Sequence, residues 1–174
     1  MTLVKSGKVR AIGASNFSAP RFKEALDISA KNGLPRYQTM QPHYNLLERG
    51  IEADMLPLCA AEGVGVIPYY SLASGFLSGK YRSEADLGKS PRGARGAGKY
   101  LNEKGLKVLA ALDKVAARMG ATPAQVALAW FKGRPGLAAP IASATSSAQL
   151  AELAKAARLT LDAAAVAELD AASA

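Results

Sequence analysis

Short β-rich runs alternate with helix-patterned stretches along this chain, and that alternation restricts its fold more than any other feature. The runs are "KVRAIGASN" (8–16), "YQTMQPHYN" (37–45), "VGVIPYYS" (64–71) and "LAAPIASATS" (137–146). Behind the first comes "SAPRFKEALDISAKNG", with Ser18 as N-cap, Pro20 in the first turn and Gly33 as a stop signal. Behind the second comes "ERGIEADMLPLCAAEG", where Pro57 predicts a kink or a late helix start. The last run leads into "SAQLAELAKAAR". Strands separated by helices of this length require crossover connections, so the expected class is α/β with a parallel sheet.

Between the third and fourth units lies a long insertion. It opens with a Gly- and Arg-rich loop, "YRSEADLGKSPRGARGAGKY" (81–100), whose charge run reads by itself as solvated and mobile. Two helices follow. Leu106, Leu109, Leu112, Val115 and Met119 recur at helical spacing in the first. The second carries Thr122 as N-cap, Pro123 at the first helical position and Gln125 as the far member of a capping box. "LTLDAAAVAELDAAS" forms a final helix.

Four parallel strands make an incomplete sheet, because such strands want both faces covered and unpaired edges invite self-association. At the other end, "TLVKSGK" has the pattern of a helix tail, with Leu3 and Val4 as an apolar patch, Lys5 in the last turn and Gly7 as the stop. The expectation is part of a larger body: residues 1–174 as half of a TIM-type (β/α)8 barrel, an architecture of about 250 residues. The single cysteine, Cys59, rules out an internal disulfide framework and favours a reducing, cytoplasmic setting. The formal charge of +8 permits an anionic partner. RNA-binding aromatic motifs, zinc-spaced Cys/His sets, an N-terminal apolar signal core and any membrane-length apolar stretch are all missing from the sequence, so no nucleic acid, metal or membrane partner is expected.

Four ordered blocks, "GKVRAIGASNFS" (7–18), "QPHYNLLER" (41–49), "GVGVIPYYSLASGFLSGKYR" (63–82) and "APIASATSSAQLAEL" (139–153), resemble strands five to eight of the aldo-keto reductases, in that family's order and spacing. The resemblance implies a (β/α)8 barrel that reduces aldehydes and ketones with NADPH. It also implies that the catalytic tyrosine, lysine, aspartate and histidine belong to the other half of the barrel. None of the motifs carrying those four occurs in this sequence, so no catalytic residue is assigned. The readings in other classes are a non-catalytic NADP(H)-binding module and an inactive truncated fragment.

The resemblance also implies a set of cofactor contacts. Ser15, Asn16 and Gln41 match the residues that hold the nicotinamide carboxamide, a group needing both a donor and an acceptor, which Asn and Gln supply. The bland alternative for Ser15 and Asn16 is a turn ahead of the first helix. Register counted back from "SGK" places Tyr69 at the position that stacks on the nicotinamide ring, with Tyr70 where the family has serine and Ser71 where it has proline. Strand alternation would also allow one tyrosine in the core and the other toward the helices. Ser71, Leu72, Ala73 and Ser74 match the pyrophosphate seat, where small residues let the main chain come close. Lys80 and Arg95, with Arg92 as a competitor, match basic positions of a loop that folds over the cofactor. Ser143, Thr145, Gln149 and Glu152 match the adenosine-phosphate block; Ser143 stands where glycine is usual, and Gln149 where NADP-selective members carry arginine. Ser146 with Gln149 also reads as a capping box that needs no ligand. His43, the sole histidine, is read as structural, Cys59 as a small buried hydrophobe, and Trp130 and Phe131 as core.

Overall fold

A computed structural model describes residues 2–90 and 93–174. The short helix α1 (Thr2–Lys5) ends as its sequence predicts, with Gly7 left-handed at φ 73° and its N–H donating to Val4 O. Three parallel strands then form an open sheet in the order β1 (Ile12–Ser15), β2 (Tyr37–Gln41), β3 (Gly65–Val66). Ser15 lies opposite Gln41, and Met40 opposite Val66. The β1–β2 approach is close enough to demand glycine at 13, since a Cβ there would sit 2.3 Å from Thr39 Oγ1.

The fourth expected strand does not form a regular ladder. Residues 137–141 run parallel to β3 and touch it at intervals: Ala138 N–H donates to Val66 O and Ile141 N–H to Pro68 O. Pro140 carries no N–H, so the ladder cannot run through it. The sheet therefore has three strands and an extended flanking segment, a parallel α/β arrangement that matches part of a barrel.

Helix α2 (Ala19–Lys31) follows extended Ser18, which holds the N-cap position without a side-chain capping bond; it has Pro20 in its first turn and buries Phe22 and Leu26. Helix α3 (Met55–Ala61) is the late start that Pro57 predicts, with the Asp54 carboxylate accepting from Met55 N–H. It buries Cys59, whose thiol burial pushes up to about 11. Helix α4 (Glu103–Met119) buries Val108, Leu109, Leu112 and Val115. Leu106 departs from the expected stripe and is exposed; Gly105 takes the inward position, where Tyr100 O would lie 1.8 Å from any Cβ. Helix α5 (Pro123–Ala129) carries the Thr122–Gln125 capping box as read.

Helix α6 (Ser147–Lys155) buries none of its side chains, whereas α7 (Ala163–Ser173) buries Ala165 and Leu169. The C-terminal helix is locked to the body through Trp130, whose Nε1–H donates to Asp170 at 3.0 Å, with the Arg134 guanidinium 4.1 Å from its ring centre. Among the described residues no helix is long and apolar enough to cross a membrane.

In loop 81–100 the charged side chains Arg82, Glu84, Lys89, Arg95 and Lys99 are exposed, as the charge run suggests, but the loop is anchored at both ends. Tyr81 and Ala97 are fully buried and Tyr100 nearly so, and short helical turns fill Glu84–Lys89, Gly93–Ala97 and Gly98–Tyr100. The aromatic residues at its two ends, Tyr81 and Tyr100, supply the buried surface that anchors it. Arg82 adds a two-point hydrogen-bonded pair to Asp113 on α4.

Truncation at the centre of the α4 contact tests this packing. Leu112→Ala is expected to lower unfolding stability by about 2–5 kcal/mol in urea titration, because its side chain is wholly buried.

Candidate functional site

The C-terminal ends of the three strands converge, and each bond there has a local cause. The Ser15 hydroxyl donates to Gln41 O at 2.8 Å and fastens the end of β1 to the end of β2. Asn16 follows in the left-handed region at φ 58°, which asparagine tolerates better than most side chains. Its Oδ1 accepts from the Tyr69 hydroxyl at 2.9 Å. Beyond Pro42 the parallel pairing resumes, with Tyr69 N–H donating to Pro42 O and His43 opposite Tyr69. Ser15, Asn16, Gln41 and Tyr69 thus meet at one edge of the sheet. Among the described residues the Gln41 side-chain amide makes no hydrogen bond, so a donor and an acceptor are both available there.

Three rings pack beside these groups. Tyr69 and His43 stack with ring centres 5.3 Å apart and planes inclined by 15°. Tyr70 meets both edge-on, at 5.5 Å from His43 and 5.2 Å from Tyr69. Neither tyrosine lies in the core: Tyr69 is half-buried and Tyr70 is 59% exposed. Behind them Asn45 is fully buried, accepting from Leu47 N–H at 2.8 Å and donating to Tyr70 O at 3.0 Å. The Leu47 bond fixes the amide's orientation, so the nitrogen faces His43 Nε2 at 3.4 Å and the imidazole proton belongs on Nδ1. Burial lowers the His43 pKa, which keeps the ring neutral at pH 7.

The chain next enters strained backbone. Tyr70, Ala73, Ser74 and Gly75 all have positive φ, at 52°, 49°, 58° and 90°. Left-handed conformations at three non-glycine residues are costly and persist only where the surroundings impose them. The bracing is visible. Ser71 is buried and its hydroxyl donates to Pro68 O at 3.1 Å, so its side chain holds the turn together and does not face outward. Ala73 is fully buried, and Leu72 and Ser74 are half-buried. Lys80 lies against the turn, its Nζ 3.3 Å from where a Gly75 Cβ would be and 4.9 Å from the Tyr81 ring centre. The 93–97 segment closes over Ser74, with the Gly96 Cβ position 2.9 Å from Ser74 Oγ. Arg95 is exposed on that segment, and Arg92 lies outside the described residues. Glu48 anchors the far end of the loop by accepting from Lys99 and from the Tyr100 hydroxyl. Burial pushes its carboxyl up, but these bonds outweigh that and hold it below its ordinary range.

Residues 143–149 emerge beyond the same sheet edge, since Ile141 pairs with Pro68 just ahead of Tyr69. Ser143, Thr145 and Gln149 are exposed there. The expected capping box is only half formed: Ser146 Oγ accepts from Gln149 N–H, while Gln149 Oε1 turns to the Thr145 N–H and hydroxyl. Glu152 is engaged in structure, its carboxylate accepting from the buried Gln125 amide at 2.8 Å and from Lys155. Sequence reasoning missed His43 and Asn45 as parts of this site. His43 was legible in principle, because it follows Gln41 by two residues and so shares its side of the extended chain; no sequence signal marks Asn45.

Comparison with known proteins shows the family. The profile of the aldo/keto reductase family matches residues 1–174. The chain is 36% identical over 151 residues to Protein tas of Escherichia coli, covering 84% of this chain and 42% of that protein. It is 36% identical over 162 residues to the oxidoreductase YrpG of Bacillus subtilis, covering 92% and 48%. The crystal structure of the thermostable aldo-keto reductase Tm1743 in complex with the inhibitor epalrestat superposes with a TM-score of 0.71 at 28% identity, over 98% of this chain and 51% of that one. The chain spans about half the length of these relatives.

The closure of 93–97 over the strained turn can be probed directly. A Gly93→Ala side chain would meet Leu87 O at 2.4 Å and the Tyr81 ring at 2.6 Å. It is expected to cost about 1–3 kcal/mol and to speed tryptic cleavage at Arg95 relative to wild type.

Proposed function

The chain belongs to the aldo/keto reductase family, and we propose that the C-terminal edge of its sheet seats NADP(H) for the reduction of aldehydes and ketones. The observation that carries this reading is the meeting of Ser15, Asn16 and Gln41 with Tyr69 from three separate strand ends. Carbonyl reduction is the activity of the complete oxidoreductase, with this chain contributing the cofactor half. A bound nicotinamide would supply the hydride that a carbonyl accepts.

The residues present fit such a group from end to end. The Gln41 amide and the Asn16 side chain offer what a carboxamide needs, and Tyr69 offers a flat ring beside them. The left-handed run at 73–75 is built of small residues that let a ligand approach the main chain; Ala73 N–H and Gly75 N–H already donate to Tyr70 O and Leu72 O, so the Ser74 hydroxyl and the neighbouring cations are what this turn offers an anion. Lys80 stands beside that turn and Arg95 on the segment covering it, so positive charge sits where a pyrophosphate would lie. Ser143, Thr145 and Gln149 extend the line past the sheet edge toward an adenosine. Gln149 brings no charge for a 2′-phosphate, which leaves preference for NADP over NAD to the basic loop. Glu152 and the Ser71 hydroxyl act here through structure, by holding α6 and the 70–75 turn. A cytoplasmic setting, and association through the open β1 edge beside exposed Leu3 and Ile28, complete the reading.

Titration of the purified chain with NADPH, followed by nucleotide fluorescence, tests the proposal. Saturable binding is expected, weakened about tenfold by Tyr69→Ala through the loss of one stacking partner. Absence of saturation at high micromolar nucleotide would contradict it. Steady NADPH loss with an aromatic aldehyde is not expected from this chain alone.

A further inference from the structure

We infer that His43 is a positioning residue for the nicotinamide end of the site, backing Tyr69 from one side so that its opposite face receives the ligand ring. The inference rests on the cofactor reading above and assigns a role to a residue outside the family-matched set.

The geometry is specific. Tyr69 has two faces, and His43 covers one of them in a near-parallel stack, 5.3 Å between centres and 15° between planes. Tyr70 cannot cover the other. The three centre separations, 5.3, 5.5 and 5.2 Å, form a nearly equilateral triangle. If Tyr70 lay on the far face of Tyr69, its distance from His43 would approach the sum of the other two. Tyr70 therefore packs at the shared edge, and among the described residues no further ring touches Tyr69.

His43 is itself held in place. Asn45 is fully buried with its oxygen fixed by Leu47 N–H, which sets its amide nitrogen 3.4 Å from His43 Nε2 as a hydrogen-bonding support for the ring. The Tyr69 hydroxyl is fixed by Asn16 at the other end of the ring. With its plane set by His43 and its rotation by Asn16, Tyr69 is ready before any ligand arrives. A preorganised ring loses less freedom on binding than a free one.

The test compares wild type with His43→Ala and His43→Phe, titrated with NADPH and separately with 2′,5′-ADP, which carries no nicotinamide. His43→Ala is expected to weaken NADPH about three- to tenfold while leaving 2′,5′-ADP unchanged, and His43→Phe is expected to restore NADPH binding. A general structural defect would weaken both ligands. Unchanged NADPH affinity in His43→Ala would overturn the inference. Tighter binding in that variant would also overturn it, by showing that His43 occupies the face the nicotinamide uses. If wild type bound neither ligand, the cofactor reading itself would fail, and this inference with it.

Discussion

The pairing of β1 with β2, Ser15 opposite Gln41, sets the position of every polar group at the sheet edge where the site lies. It depends on Gly13, because any larger residue would drive Thr39 away. The Ser15 hydroxyl then closes the last step of the pair. Asn16 is delivered to the edge in a left-handed turn, and from there it reaches Tyr69 across β2. Three segments far apart in sequence are brought to one place by main-chain hydrogen bonds, and the Ser15 hydroxyl and the Asn16–Tyr69 side-chain bond fasten them together. This is the usual economy of parallel α/β folds, whose strand C-terminal ends collect function.

The strained backbone after Tyr69 has meaning only with its supports. Ser71, Asn45, Ala73 and the 93–97 segment hold the turn from beneath and above. That segment is in turn moored by buried Tyr81 and Tyr100 and by Glu48. A loop rich in glycine and arginine is thus tied to the core at both ends. Fixed donors and cations bind anions better than flexible ones, since less order has to be imposed on binding.

Much of this was legible in the sequence, for reasons that can be named. Ser18 with Pro20, Thr122 with Gln125, and Gly7 mark helix ends through local chemistry, and they stand where expected. Ser15, Asn16, Gln41 and Tyr69 could be placed at strand ends because each closes a β-rich run. What escaped was non-local. Pro140 breaks the fourth ladder, yet its effect depends on which side of the segment β3 lies. Gly105 displaces Leu106 from the packed face only because Tyr100 crowds that point. Loop 81–100 does expose its charges, but the burial of Tyr81 and Tyr100 that anchors its two ends is not visible in the charge run. His43 and Asn45 join the site through a ring stack and a buried amide that no spacing rule announces.

The most direct measurement of the central claim is residue-resolved NMR of the isotope-labelled chain titrated with NADP+. The account predicts saturable shifts at residues 15–16, 41, 43, 69–75 and 143–149, including the side-chain amides of Asn16 and Gln41, with α2 and α4 unmoved. Shifts that fail to saturate, or that gather on α2 and the outer edge of β1, would contradict it.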